Sequence, residues 1–445
     1  MGAAEFAAAM EAAAPFETAP DVAIAVSGGC DSMALALLAR DWVSARGGRA
    51  IALTVDHGLR TDSAAEARLV GKRLRAAGIE QHILRWKGPH PASGVQAAAR
   101  EARYALLAGW CRQRAVLHLL LAHQRDDQAE TLLMRLAHGS GTSGMAAMAA
   151  VSLHDGVRLL RPLLALPRAR LAATLACAGV DAVDDPSNRN PHFERVRWRR
   201  ALGAVADADR TRRGLAAAAS AMGDARAAND RAVADLLAGA SVRPEGYLLL
   251  PPDLLAAATP ALAQAALLRC LLAIGGDAHP PRREGLERLL DRLRGSDRMP
   301  GRTLGGCRVL TWRGHVLICR EAAALPPAMP IRPKAALVWD RRFRLRLAAP
   351  SGPSCEIGPL GAAGRAKLGA EAADRAALLP GPVRTTLPAL YDRRGLAAVP
   401  HLGWRRGPKG PTLRLEGWQP RHSLAPAGFR PAGESCFIGL ADYLE

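Results

Sequence analysis

The 445-residue sequence has little lysine, few aromatic residues and no long apolar run. Only five of its 60 basic residues are lysine, and arginine supplies the rest of a net charge of +19. The longest apolar runs, such as Ala34 to Ala39, fall far short of the roughly 20 residues that span a membrane. The acidic, Ala-rich start also lacks the basic region of a secretory signal. We therefore expect a cytoplasmic protein with no membrane segment.

Three kinds of site have no counterpart in the sequence. The eight cysteines include no Cys-x-x-Cys pair and no Cys/His cluster, which excludes the usual spacing of a zinc knuckle or an iron-sulfur centre and indicates free thiols. No G-x-x-x-x-G-K-[ST] string occurs, which excludes the phosphate loop of kinases and GTPases.

A GC-rich genome would produce the arginine bias by itself, yet the excess of positive charge still favours a polyanionic partner.

The length predicts two or three domains, because single cores seldom exceed about 300 residues. We expect an N-terminal tail over 1–20, a catalytic domain over 21–205, and a mainly helical domain over 206–323 that ends in a hairpin. A Pro-rich linker over 324–336 then leads to a small β-containing domain over 337–445, with an irregular tail.

Short β-rich runs alternate with helical stretches between residues 21 and 137. This alternation is typical of an α/β fold with a parallel sheet covered by helices on both faces. Each predicted strand ends in polar residues, at Ser27 to Ser32, at Asp56-His57, and at His123 to Asp127. Ligands of such sheets bind beyond the carboxyl ends of the strands, so these residues predict the site.

The string S-G-G-C-D-S, Ser27 to Ser32, lies where the first strand gives way to a helix. Adjacent glycines let consecutive backbone amides point at one anion, and the positive end of the helix adds to the attraction. An ordinary turn would also use Ser-Gly-Gly, but the whole string favours a phosphate cradle. A second Gly-rich string, Gly139 to Gly144, follows a helix rather than a strand, so we interpret it as a loop and not as a dinucleotide site.

Carboxylates follow the fourth strand at Asp126 and Asp127, next to His123. A capped helix start with a solvated histidine is the simpler interpretation. Together with Asp31 of the cradle, however, these oxygens suit the Mg²⁺ that accompanies ATP.

The cradle resembles the PP-loop of the N-type ATP pyrophosphatases, which hold the outer two phosphates of ATP and transfer AMP to a substrate. The ordered set S-G-G-x-D-S, H-x-x-D-D-Q-A-E-T and D-P-S-N, with "REARY" and "FERVRWRR", resembles the tRNA(Ile)-lysidine synthetase family. The resemblance covers residues 22–202 well and the later regions loosely. It implies ATP and Mg²⁺ as cofactors, and free L-lysine and a tRNA(Ile) with a CAU anticodon as partners. Lysine would be joined to carbon 2 of the wobble cytidine through an adenylated intermediate.

The resemblance also implies roles for individual residues. The proposed nucleotide-binding set is Ser27, Gly28, Gly29, Cys30, Asp31, Ser32, Asp56 and His57; the catalytic set is Asp31, Asp127, His123 and Arg103, with Asp31 and Asp127 associated with magnesium; and the tRNA set is Arg195, Arg197 and Asp185. The family's Arg-Asn-Arg is Arg195-Val196-Arg197 here, so which arginine contacts the substrate stays open. An arginine-rich solvated face and, at Asp185, a simple turn are the structural alternatives.

Two other enzymes and one binding protein compete with this interpretation. A tRNA thiolase would use the same loop but needs a thiolate pair, although Cys30 lies inside the loop. An amidotransferase-type synthetase would need a glutaminase half. A non-catalytic tRNA-binding protein would have lost the loop serines or the carboxylates, and all are present. The sequence is compatible with a homodimer.

Overall fold

The structure is a computed structural model that describes residues 1–58, 63–88, 93–183, 190–275, 280–295, 299–348, 355–408, 410–418, 420, 422–425 and 428–431. The chain divides into two units. Unit 1 comprises Met1–Ala228 and the C-terminal residues from Ala427, and unit 2 comprises Asn229–Pro426. Within the described ranges, no helix has the length and apolar character needed to cross a membrane.

Between residues 21 and 137, unit 1 alternates strands and helices in the order that the sequence predicts. Its strands are β1 (Asp21–Ala25), β2 (Arg49–Asp56), β3 (Glu80–Arg85), β4 (His118–Leu120), β5 (Val151–His154) and β6 (Val157–Leu160). Its helices are α1 (Ala3–Glu11), α2 (Cys30–Ser44), α3 (Ser63–Ala76), α4 (Val95–Gln113), α5 (Arg125–Ala137), α6 (Thr142–Met145), α7 (Arg168–Cys177) and α8 (Glu194–Gly203), followed by α9 (Ala208–Leu237), which continues into unit 2.

The six strands form one sheet in the order β3-β2-β1-β4-β6-β5. All neighbours are parallel except β5 and β6, which form an antiparallel hairpin at the edge. Both faces are buried: Val22 and Ile24 of β1 pack into the core around α2, while Ala23 and Ala25 pack into the core beneath α4. This confirms the predicted fold class, and it follows from the unbroken apolar run of β1, because a strand covered on both faces needs apolar residues at every position.

The first twenty residues differ from the expected tail. They contain α1, whose Phe6 and Met10 are at most 1% exposed and belong to the core around α2. Burial of each of these two large apolar side chains contributes roughly 2 kcal/mol toward the ordering of this segment. The loop expected at Gly139 to Gly144 contains the short α6.

Unit 2 is built from helices and three antiparallel sheets. Its helices are α10 (Leu254–Ala257), α11 (Pro260–Gly275), α12 (Arg283–Gly295), α13 (Gly361–Arg365), α14 (Ala370–Ala377) and α15 (Gly381–Thr386). Its strands are β7 (Ser241–Arg243), β8 (Tyr247–Leu250), β9 (Arg302–Leu304), β10 (Cys307–Trp312), β11 (His315–Arg320), β12 (Met329–Ile331), β13 (Ala336–Trp339), β14 (Phe343–Leu347), β15 (Cys355–Pro359), β16 (Pro388–Asp392), β17 (Gly395–Val399), β18 (Trp404–Arg405) and β19 (Leu413–Trp418). The sheet orders are β7-β8-β11-β10-β9, β12-β15-β16-β17-β18 and β13-β14-β19.

The expected hairpin is β10 and β11, but three segments of unit 2 contain strands that the sequence does not predict. The domain expected to be mainly helical contains β8, which pairs with β11. Its run Tyr-Leu-Leu-Leu has no period, so pattern alone could not assign it. The expected linker contains β12, an edge strand in which Pro330 is tolerated because an edge position does not require every N–H. The tail expected to be irregular contains β19, which pairs with β14.

Candidate active site

The cradle is a tight loop between β1 and α2. Gly28 has φ +90°, a conformation that only glycine adopts without strain. A Cβ at Gly28 would lie 2.5 Å from Cγ2 of Val70, so the site also needs glycine for space. Gly29 caps α2, and Cys30 is the first residue of the helix. The sequence therefore places a helix N-terminus with free amides at the carboxyl end of the central strand.

The two serines of the loop hold it closed. The Ser32 hydroxyl donates to the Gly29 carbonyl at 2.9 Å, and its oxygen lies 3.3 Å from both the amide and the hydroxyl of Ser27. Ser32 is buried, whereas Ser27 is exposed. Ser32 therefore shapes the loop from within, and Ser27 faces the cavity beyond it.

Asp31 brings a carboxylate to the mouth of the loop. One oxygen lies 3.9 Å from Nε of Arg168, and the other, Oδ1, is buried without a hydrogen-bond partner among the described residues. Burial raises the pKa of Asp31 to about 6, and the neighbouring charge of Asp127 adds to the increase. A buried carboxylate oxygen that lacks a donor is a ready ligand for a divalent cation.

Asp127 lies at the start of α5, beyond the end of β4. Gln124 and Asp127 form a capping box: the Gln124 side chain accepts from the Asp126 amide, and Oδ2 of Asp127 accepts from the Gln124 amide at 3.1 Å. The other oxygen of Asp127 lies 3.8 Å from Nη2 of Arg199. Asp127 thus both fixes the helix start and contributes negative charge beside Asp31.

A buried glutamate organises the arginines of α8. Glu130 is 1% exposed and accepts two hydrogen bonds from Arg199, at 2.7 and 3.2 Å, while Nε of Arg195 lies 3.5 Å away. Burial raises the pKa of Glu130, and the paired Arg199 opposes that change. Nη2 of Arg195 also donates to Thr131 at 3.1 Å. Arg197 instead donates to the carbonyls of Pro191 and His192, and it borders neither cavity of the site.

These groups line two adjoining cavities in unit 1. The larger, about 900 Å³, is bordered by Asp31, His123, Asp127 and Arg195, together with Arg100, Arg103, Arg135, Arg168 and Arg199. The smaller, about 750 Å³, lies between the ends of β1 and β2 and α4, and is bordered by Val26, Leu53, Asp56 and His57. Ser27, His57 and Arg103 border both cavities. The site therefore combines an apolar recess with a strongly cationic chamber.

The histidine at the end of β4 is held neutral. Burial, then the charges of Arg161 and Arg103, lower the pKa of His123 well below its ordinary value. Its Nδ1 is buried without a hydrogen-bond partner in the described part of the chain. Burial also lowers the pKa of Arg103, for which the described residues provide no carboxylate. Both side chains thus retain hydrogen-bonding capacity for a bound polyanion.

Comparison with known proteins agrees with this geometry. A PP-loop domain family matches residues 3–206. A tRNA(Ile)-lysidine synthase from Bradyrhizobium sp. is 41% identical over 72% of this chain and 93% of its own length. One from Ruegeria pomeroyi is 37% identical over 86% of this chain and 89% of its own.

The chain belongs to the tRNA(Ile)-lysidine synthase family.

In this member of the tRNA(Ile)-lysidine synthase family, most of the site residues that the sequence predicts lie together around the two cavities. Eleven of the predicted residues border the two cavities: Ser27, Gly29, Cys30, Asp31, Ser32, Asp56, His57, Arg103, His123, Asp127 and Arg195. Gly28 supports the loop from behind, since its carbonyl accepts from the Val183 amide at 2.9 Å. Asp185 lies outside the described residues.

Three residues at the site of this lysidine synthase family member are not in the predicted set: Glu130, Arg199 and Arg168. Glu130 follows Asp127 by three positions, so the helical period places both on one face of α5, a signal that was available. Arg199 has the pattern of a solvated basic face, yet it pairs with Glu130. Arg168 has no motif around it, and only the folding of α7 against α2 brings it to Asp31.

Proposed function

We propose that this chain joins free L-lysine to carbon 2 of the wobble cytidine of a tRNA(Ile) with a CAU anticodon, as the name of its relatives indicates. The observation that carries the proposal is the juxtaposition of the PP-loop, Asp31 and Asp127 with the arginine-lined chamber. In the first step the cytosine O2 bonds to the α phosphorus of ATP, and the bond to the β phosphate breaks to release pyrophosphate. In the second, the lysine ε-amine bonds to carbon 2 and the C2–O2 bond breaks to release AMP.

The residues divide this work between the two cavities. The apolar recess beside Val26 and Leu53 suits the adenosine of ATP, whereas the amides of the loop and the arginines of the chamber suit its phosphates. Neutral His123 can donate one hydrogen bond and accept another without adding charge. The closed Ser27 to Ser32 loop keeps the cradle ordered before the substrate arrives.

Magnesium fits the carboxylates at the mouth of the loop. We assign Asp31 and Asp127 to it because Oδ1 of Asp31 is buried with no donor and both residues border the same chamber. When bound, the cation neutralises charge on the triphosphate. Free lysine as the second substrate, tRNA recognition by residues 337–445 and a cytoplasmic location also belong to this proposal. The homodimer stays a prediction.

The thiolation alternative has no support from the described residues. They contain no group of three metal-binding side chains, and the seven described cysteines are free. Burial and then the charge of Asp31 raise the pKa of Cys30, which disfavours the thiolate that sulfur transfer needs.

Product analysis of the Cys30→Ala variant tests the proposal. We expect it to retain most activity, because position 30 contributes its backbone. It should release pyrophosphate when tRNA and ATP are present, and AMP only when lysine is added as well. A dead Cys30→Ala variant with sulfur entering the tRNA would establish thiolation instead. Release of ADP would contradict both mechanisms.

A further inference from the structure

One side of the arginine-lined chamber is formed by residues 138–150, here called the wall segment. His138, Ser140 and Met148 of this segment border the chamber, and none of its residues borders the apolar recess. The segment has little regular structure of its own beyond α6. Its position therefore depends on what holds it from outside.

Side chains of α5 hold the wall segment from one side. The amide group of Gln128 bonds both the carbonyl and the N–H of Met148, each at 2.9 Å. Arg135 donates to the carbonyls of Ala147, at 2.8 Å, and Gly144. These bonds fix the middle of the segment but leave its end at Ala150 to other partners.

The C-terminal residues 428–431, here called the strap, hold the other side. The Ala150 amide donates to the Arg430 carbonyl at 2.8 Å. The ring of Phe429 is 8% exposed, and the Arg226 guanidinium lies 4.5 Å above it while donating to the Ser143 carbonyl at 3.1 Å. The strap therefore contacts the wall segment directly at Ala150 and through Arg226 at α6.

The strap packs against Gly223 of α9, where the lack of a side chain leaves room for it. A Cβ at Gly223 would lie 2.7 Å from Cβ of Pro431 and 2.8 Å from Cε1 of Phe429, closer than carbon atoms approach without displacement. On its other side, Arg430 donates to the carbonyls of Ala12, at 3.4 Å, and Ala14, at 3.1 Å. Four residues near the end of the chain thus bridge α9, the N-terminal segment and the chamber wall.

We propose that Phe429 and Pro431, seated on Gly223, are positioning residues that hold the wall segment in place for the ligation reaction. The kinetic part of this inference rests on the proposed function. The wall segment does not border the recess assigned to adenosine, and it contributes none of the loop amides or arginines assigned to the phosphates. Its displacement therefore affects the tRNA or lysine substrate more than ATP.

The test compares two glycine-to-alanine variants of α9 in the full-length protein. Gly223→Ala pushes on the strap, whereas Gly214→Ala makes the same chemical change where a Cβ meets nothing within 4 Å. We expect Gly223→Ala and Phe429→Ala to raise the KM for lysine or for tRNA about tenfold, in the range that small misplacements cause. The KM for ATP should stay within about twofold, and Phe429→Leu should restore much of the loss.

Hydrogen exchange supplies a readout that does not depend on the reaction. Amides of residues 138–150 should exchange faster in Gly223→Ala and Phe429→Ala than in Gly214→Ala, with exchange in β1 and α2 unchanged. If exchange in the wall segment and all KM values match those of Gly214→Ala, the positioning role is wrong. An equal increase in the KM for lysine, tRNA and ATP would show a merely structural role. Absence of lysidine from wild type and Gly214→Ala would instead refute the proposed function, with the exchange comparison still deciding on the strap.

Discussion

At the scale of single residues, the negative charge of Asp31 lowers the stability of the nucleotide-free protein, although we propose that the same charge serves the reaction. Burial, with a smaller contribution from Asp127, raises its pKa from 3.8 to about 6, and Arg168 offsets only part of this. An unfolded chain exposes the same carboxyl to water and loses its proton first as the pH rises. The negative charge of Asp31, for which we propose a role in ATP chemistry, therefore costs the empty fold free energy above about pH 4.

Replacing Asp31 by Asn should stabilise the nucleotide-free protein while inactivating it. We expect the free energy of unfolding to increase by up to ~3 kcal/mol at pH 8 and by about half as much at pH 5, because the shift lies between 3.8 and about 6. Urea and thermal unfolding at the two pH values measure this. Asp41→Asn, on the same helix but with a side chain 59% exposed, should change little at either pH. A loss of stability at pH 8 would refute the assigned pKa direction.

Arg195 and Arg197 lie on the same helix but make different contacts, so a substitution at one serves as the control for the other. Arg195 borders the chamber beside Glu130, whereas within the described ranges Arg197 donates only to the carbonyls of residues 191 and 192. We expect Arg195→Ala to lower kcat/KM for lysidine formation about 100-fold, the usual effect of removing one preorganised donor. Arg197→Ala should stay within about fivefold of wild type. Steady-state kinetics with the reverse order would assign the substrate contact to Arg197.

At the scale of secondary structure, the start of α5 does two tasks with one side chain. The carboxylate of Asp127 caps the helix through the Gln124 amide and also faces Asp31 in the chamber. An asparagine keeps an oxygen for the cap but loses the charge, whereas an alanine loses both.

The two substitutions of Asp127 should therefore separate capping from chemistry. We expect Asp127→Asn to retain nearly full stability and Asp127→Ala to lose about 1 kcal/mol, the usual cost of removing a helix cap. Both should lose tRNA-dependent exchange of pyrophosphate into ATP. Wild-type exchange by Asp127→Asn would show that the charge is unnecessary and that Asp127 is only a cap.

Elements with a strong local pattern are the ones that the sequence predicts. The apolar run of β1, the Ser-Gly-Gly loop and the capped start of α5 locate the carboxyl ends of the strands, and these ends carry the site. Elements that form only through contacts with residues far away in the sequence cannot be predicted from a local pattern. The edge strand β12 exists because it pairs with β15, and α1 is ordered because Phe6 reaches the core around α2. Arg168 belongs to the site for the same reason, through packing rather than pattern.

At the scale of the whole molecule, only some of the 60 basic side chains are available to a partner. Arg199 pairs with a buried glutamate, and in unit 2 the side chains of Arg320 and Arg342 pair with Asp340 in the interior. Arg393 and Arg394 are instead exposed at the turn between β16 and β17. The number of phosphates that the protein can neutralise is therefore smaller than the number of basic residues suggests.

The affinity for tRNA should fall as the salt concentration rises, and the steepness of the fall reports how many phosphates the protein neutralises. If about five phosphates are neutralised, the plot of log K against log salt should have a slope near −4. Replacing Arg393 and Arg394 by Ala should reduce the slope by about one unit for each phosphate that is no longer neutralised. Filter binding across a salt series measures this, with Arg197→Ala as the control in unit 1. A slope near zero would leave the arginines without a role in binding.

The most direct test of the whole account is mass spectrometry of nucleosides from tRNA(Ile) with a CAU anticodon after incubation with ATP, Mg²⁺ and isotopically labelled lysine. We predict one modified nucleoside, cytidine carrying the labelled lysine at carbon 2, formed by the wild type and by Cys30→Ala but not by Asp127→Asn. Unmodified cytidine after incubation with folded, ATP-binding wild-type protein, or a sulfur-containing nucleoside in its place, would contradict the account.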